Sequence, residues 1–157
     1  PIAVPASVPQ VEIGATAGLV MGAANTVAQV VLMNDLSVPH ASFFRPPVKF
    51  KCLDGFLGIG AQAMPLASVA DLAALRLTVK VNGAVVHEVD FAQLVRSPSQ
   101  LVTDVSAFMT LRAGDVLMVG CDVLPSGVRP LAAVGDRIDI DAPGFPTLSH
   151  WLVKEAA

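Results

Sequence analysis

The sequence predicts a mainly β domain, a mixed roll or sandwich, with one longer helix at about residues 98–109. Three observations carry this. Two apolar runs, 15–21 and 27–33, are hydrophobic on both faces, as strands covered from both sides are. Residues 75–81 alternate apolar and polar, Asn82-Gly83 follows, and 84–89 return, the pattern of a hairpin closed by a type I′ turn. Gly114-Asp115 and Gly135-Asp136 each precede a short β-prone run.

The elements follow in order. Residues 1–10 are Pro-rich and extended, with Ile2-Ala3-Val4 read as an edge strand, since Pro tolerates edges but not ladder interiors. Between the two apolar runs, 24–26 make a short polar connection. The second run ends on Asn34-Asp35, a polar pair at the tip of a buried strand. Residues 37–47 form a loop stiffened by Pro39, Pro46 and Pro47 and anchored by Phe43 and Phe44. Residues 50–59 carry Lys51, Asp54 and two glycines. A helical turn or linker spans 69–75, and His87 is read as a half-exposed residue of the return strand. In the helix Ser97 is the N-cap, Pro98 the first position and Gln100 the partner of a capping box. Leu101, Val105, Phe108 and Met109 share one face, so the helix is expected to pack on a sheet. A loop follows over 121–130, and the last strand runs from about 147 to 154.

Composition narrows the functions. At 157 residues the chain is one domain with a sizeable core, expected to span 1–157, with room for a missing upstream segment because it opens at Pro1 without a signal pattern. With 54% apolar and 15% charged residues, part of the surface is expected to lie against another chain. A net charge of −3 leaves no basic stripe, and one Trp with no Tyr leaves no stacking platform, so nucleic acid is excluded as a partner. The charge-free stretch 13–34 holds Gly14, Gly18 and Gly22 at helix-packing spacing, but it is rich in Gly, Ala, Thr and amides. Two strands fit it better than a membrane span. Cys52 and Cys121 make no CxxC pair and read as small hydrophobes, with a reactive Cys52 beside Lys51 as the sharper alternative.

The ordered set Gly18-Leu-Val-Met-Gly22, Asn34-Asp35-Leu-Ser, Lys51-Cys-Leu-Asp54-Gly-Phe, Val81-Asn-Gly83, Phe108-Met-Thr-Leu-Arg-Ala-Gly-Asp115-Val-Leu and Val134-Gly-Asp136 resembles the fumarylacetoacetate hydrolase family over nearly the whole chain. Glu12-Ile-Gly-Ala-Thr and Val38-Pro-His-Ala-Ser-Phe-Phe-Arg-Pro are most similar to one branch. That branch holds the N-terminal halves, or separate first subunits, of isomerase/decarboxylases of 4-hydroxyphenylacetate (homoprotocatechuate) breakdown.

The resemblance implies the β-roll of that family's C-terminal domain, a cytoplasmic protein, and C–C hydrolysis, decarboxylation or double-bond isomerisation beside a carbonyl. It implies an oligomer with a like or related chain of the family, and a small 2-oxo or 2-hydroxy acid as ligand. The family's Mg²⁺, held by oxygen ligands, grips the acid and stabilises its enolate. The family's aspartate ligand falls on Asp35 and its lysine, which faces the enolate charge, on Lys51, with Asp54 beside it. Its two glutamates fall on Gly14 and Thr16, and Glu12 lies two residues too early, about 7 Å along a strand from Gly14. Its substrate-holding Gly-Thr is Gly120-Cys121 here, and its Gly-Pro is Gly60-Ala61. One carboxylate does not suit Mg²⁺, which dehydrates reluctantly, so the ion is expected to be absent from this chain.

The candidate catalytic residues are therefore Lys51, Asp35 and His40, the last as a proton shuttle, with Asp54 and Cys121 for substrate and Asp35 as the surviving metal position. Plainer readings stand beside them: Asp35 as a turn cap, Lys51 in an ion pair with Asp54, and His40 bonded to backbone. Three functions stay open. The chain is half of an isomerase/decarboxylase whose related partner carries the metal, or an enzyme by itself (a hydrolase or metal-free isomerase), or a non-catalytic 2-oxo acid binding module.

Overall fold

A computed structural model describes residues 1–41, 48–122 and 124–156. The anchoring role expected of Phe43 and Phe44, and Pro46 and Pro47 with them, fall outside the described residues. In chain order the elements are β1 (Ile2–Val4), β2 (Gln10–Glu12), β3 (Ala15–Met21), β4 (Val27–Asp35), α1 (Val48–Lys51), β5 (Leu57–Ile59) and β6 (Met64–Pro65). Then come β7 (Arg76–Val81), β8 (Ala84–Asp90), α2 (Pro98–Ser106), β9 (Val116–Met118), β10 (Leu131–Ala133), β11 (Arg137–Asp141) and β12 (Leu148–Lys154).

Among the described residues the strands form three sheets. One sheet has the order β1-β12-β11-β7-β8, with β1 parallel to β12 at the edge, where Pro1 and Pro5 do no harm. A second has the order β5-β4-β3-β9, with β6 added on β4. A small ribbon pairs β10 with β2. Side chains from both large sheets, among them Leu19, Leu32, Leu77, Ile138 and Leu152, meet in one core closed by Phe56 and Phe91. The mainly β roll is thus as predicted.

Local chemistry explains the corners. Asn82 (φ 51°) and Gly83 (φ 83°) supply the two left-handed residues of the β7–β8 turn. The two Gly-Asp turns are built alike. Asp115 accepts from Arg112 N at 2.7 Å and Asp136 from Ala133 N at 2.8 Å, each next to a glycine at positive φ. The β3–β4 connection is a 3₁₀ turn over Ala23–Asn25.

Three expectations need correction. The helix is shorter than 98–109: α2 stops at Ser106, and Phe108 and Met109 stand 76% and 48% exposed instead of completing an apolar face. Its packing partner is the 3₁₀ turn Val69–Ala74 rather than a sheet. The capping box is half made. Ser97 Oγ accepts from Gln100 N at 3.2 Å, but the Gln100 amide turns forward to Asp104 at 2.7 Å, a helical i,i+4 pair. No helix among the described residues is long and apolar enough to cross a membrane, and 15–35 is a strand pair.

Candidate functional site

The site lies where β3 begins and β4 ends. Antiparallel pairing sets Ala15 opposite Asn34 and Thr16 opposite Met33. Alternation then divides the pair into two faces. Ala15, Ala17, Leu19, Val30 and Leu32 face the core, and Asn34 shares that side, its Oδ1 accepting from Gly14 N at 3.1 Å. Thr16, Gly18, Val31, Met33 and Asp35 face the other way.

Asp35 is 8% exposed, and its backbone is held twice. Its N–H donates to the Gly14 carbonyl at 2.9 Å, and Arg129 Nη1 donates to its own carbonyl at 3.1 Å. Its carboxylate Oδ2 receives Lys51 Nζ in an ion pair with side chains 25% (Lys51) and 11% (Asp35) exposed. The alternative pairing of Lys51 with Asp54 is therefore not the one made. The physical reason is the turn that follows α1. Asp54 is exposed in that turn beside Gly55 (φ 77°), while β5 runs back along β4 with Leu57 opposite Asp35. The chain leaving Lys51 thus throws Asp54 into solvent and returns Lys51 to Asp35.

Gly14 is as tightly placed as any residue here. A Cβ on it would fall inside the contact radius of the Asp35 carbonyl oxygen and 3.0 Å from Arg129 Nη1. Position 14 thus has no room for a side chain on this backbone. Thr16 is fully buried and donates its hydroxyl to the Gly120 carbonyl. The next residue, Cys121, is half-buried. Burial pushes its thiol up to about 11, against the pull of Arg129; Asp35 raises it further and Lys51 lowers it. It lines a cavity of about 420 Å³ with Gln93, Leu94, Arg96 and Leu101. His40 is half-buried and stacks on Phe50 with ring centroids 4.6 Å apart and planes 10° from parallel. Cys52 is exposed.

So the fold brings Asp35 and Lys51 into contact, with Thr16 and Cys121 near them, and leaves Asp54 outside. Sequence reasoning missed Arg129. It sits at the end of the 121–130 loop, and nothing local ties it to Asp35; only the β10–β2 pairing, with Leu131 opposite Glu12, carries it there. Among the described residues no group of three or more His, Cys, Asp or Glu is placed to hold a metal ion.

The open side of this sheet is apolar. Leu57 and Ile59 lie opposite Asp35 and Met33 on the same face, 50% and 51% exposed, and Val116 opposite Val20 is 44% exposed.

The comparisons with known proteins agree with this architecture. A 4-hydroxyphenylacetate degradation bifunctional isomerase/decarboxylase of Salmonella dublin is 36% identical over 152 residues, covering 90% of this chain and 34% of that protein. The chain thus spans about a third of the length of the curated relative it matches. The crystal structure of a 5-carboxymethyl-2-hydroxymuconate delta-isomerase from Mycobacterium smegmatis superposes with a TM-score of 0.82 at 25% identity, covering 100% of this chain and 64% of that one. A fumarylpyruvate hydrolase from Pseudomonas aeruginosa, solved with Mn²⁺ and pyruvate, has the same fold at 23% identity, with a TM-score of 0.80 over 98% of this chain and 70% of that one. The family model of the fumarylacetoacetate hydrolase C-terminal domain matches residues 1–153. This chain belongs to the fumarylacetoacetate hydrolase family.

Proposed function

We propose that this chain is one half, or one subunit, of an isomerase/decarboxylase acting on 2-hydroxy-dienoic and 2-oxo acids of 4-hydroxyphenylacetate breakdown. A related, metal-bearing chain supplies the divalent ion. Two findings support the assembly: the chain spans about a third of its curated relative, and the sheet face around Asp35 carries exposed Leu57, Ile59 and Val116.

The observation that carries the reading of the site is the Lys51–Asp35 ion pair beside Gly14. The residues present do not fit a hard divalent ion. One carboxylate is available, its Oδ2 already neutralised by an ammonium, and the neighbouring strand offers Gly14 and Thr16 in place of carboxylates.

What its own residues can do is positional. Lys51 presents a cation fixed by Asp35, suited to stabilising negative charge on the oxygen of an enol or enolate. Isomerisation of a 2-hydroxy-diene to its 2-oxo form moves one proton from the enol oxygen to a ring-free carbon, and needs one acid and one base in reach. Asp35 and His40 are the groups proposed for this shuttle, with Cys121 and Asp54 proposed at the substrate. Asp54, exposed in the turn after α1, would reach it only from the rim of the site.

The test is turnover of 2-hydroxyhepta-2,4-diene-1,7-dioate by the chain alone and by the chain co-purified with its partner, together with native mass measurement. Chelator-sensitive turnover confined to the complex is expected. A lone monomer that forms no complex, or chelator-sensitive turnover by the chain alone, contradicts the proposal.

A further inference from the structure

Arg129 lies at a boundary. On one side its Nη1 donates to the Asp35 carbonyl at 3.1 Å and occupies the space that a side chain on Gly14 would need. On the other it lines a cavity of about 510 Å³ whose walls also include Val8, Pro9, Glu12, Val38 and Leu131. That volume suits a small organic ligand. The Asp35 carbonyl is the one hydrogen-bond acceptor Arg129 has among the described residues, and it forms no ion pair there, with Glu12 or any other carboxylate. A guanidinium carries five N–H donors in a fixed fork and stays charged at every working pH. Four donors of a half-buried cation thus have no acceptor among the described residues, next to a largely apolar cavity, and a carboxylate is the group whose geometry matches them.

Lys51 pairs with the Asp35 carboxylate, whereas Arg129 bonds the Asp35 backbone carbonyl, so the charge of Arg129 faces a cavity whose one carboxylate is Glu12. Gly14 is what makes this possible, because any larger residue would collide with the guanidinium and with the Asp35 backbone.

We propose that Arg129 is the carboxylate-binding residue of this chain: its guanidinium, braced on the Asp35 carbonyl, seats the carboxylate of a small 2-oxo or 2-hydroxy acid whose apolar body fills the adjoining cavity, without a metal ion. The ligand class rests on the functional reading above, and the residue and the cavity rest on geometry alone.

The experiment is calorimetric titration of the purified chain with 2-oxohexanoate in the presence of EDTA, with 2-hexanone as the partner lacking a carboxylate. Wild type binds 2-oxohexanoate with EDTA present, and Arg129→Gln weakens it at least tenfold while leaving 2-hexanone unchanged. Arg129→Lys, which keeps the charge and the stem and loses the fork, weakens 2-oxohexanoate several-fold, and it serves if the Gln variant does not fold. Binding that needs added Mg²⁺, no binding by wild type, or undiminished binding by a folded Arg129→Gln variant overturns the proposal. Arg129-dependent binding by a chain that shows no turnover in any assembly leaves this inference standing and removes the catalytic reading instead.

Discussion

The two large sheets treat polar residues in opposite ways. In β1-β12-β11-β7-β8 the charged groups lie on the wet side. Lys80 meets Asp141 at 2.9 Å, and Arg137 meets Asp139 at 2.9 Å, with Lys80 and Asp141 35% and 32% exposed. Core residues such as Leu77, Val79, Ile138 and Ile140 alternate with them. In β5-β4-β3-β9 both faces are apolar, yet Thr16, Asn34 and Asp35 are buried at one end. The first sheet obeys the simple rule of strand alternation and is a frame. The second breaks it at one place, where Thr16 bonds the Gly120 carbonyl, Asn34 Oδ1 accepts from Gly14 N and Asp35 pairs with Lys51. That break marks the site.

The largest expected effect separates glycines of the two sheets. Gly14→Ala drives a methyl into the Asp35 carbonyl and is expected to cost about 3 kcal/mol in denaturant unfolding, as overpacking against backbone does. Gly83→Ala, in the β7–β8 turn at φ 83° with open space around it, costs only the left-handed backbone term of about 1 kcal/mol. Equal costs would erase the distinction between a packed site and a plain turn.

The ion pairs give the next contrast. Lys51→Met strands the mostly buried Asp35 carboxylate and is expected to cost about 2 kcal/mol, a buried-pair value discounted for the 25% exposure of Lys51. Lys80→Met, in a pair exposed on both sides, is expected to cost about 0.5 kcal/mol or less. Double-mutant cycles with Asp35→Asn and Asp141→Asn check both.

Acid adds a contrast within the frame sheet. Burial holds His150 below its ordinary value of 6.5, so the unfolded chain binds its proton more readily. Its contribution is present above pH 6.5 and is lost as pH falls through the lower folded value. Thr147 and then Lys80 hold Asp141 below its ordinary 3.8 by hydrogen bonds, so that contribution is present above 3.8 and is lost at lower pH. Stability measured against pH should show two separate declines. His150→Gln is expected to flatten the first and Asp141→Asn the second.

The smallest effect leaves stability untouched. With its thiol pushed up to about 11, Cys121 is about one part in a thousand thiolate at pH 8, so iodoacetamide should label exposed Cys52 and spare Cys121. Equal labelling would place Cys121 in a different electrostatic setting.

The frame was readable because its signals are local. Asn82-Gly83, the two Gly-Asp turns and the alternation of β7 and β11 each state their geometry within a few residues. Asp35 at the tip of a buried strand was readable for the same reason. Three features were not. The partner of Lys51 depends on how β5 returns along β4, and the place of Arg129 depends on β10 pairing with β2, both contacts between distant segments. The apolar pattern of Phe108 and Met109 suggested a longer helix, but the helix ends before them and leaves them on the surface. Periodicity shows which residues share a face; it does not show whether anything covers that face.

Protein cations, Lys51 on the carboxylate and Arg129 on the carbonyl, stand around Asp35, the position to which the family resemblance assigns a metal-ligating aspartate. Titrating the isolated chain with Mn²⁺ and following free Mn²⁺ by electron paramagnetic resonance tests this arrangement directly. No stoichiometric binding is expected, and no difference between wild type and Asp35→Asn. One tightly bound Mn²⁺ per chain, lost in Asp35→Asn, would contradict it.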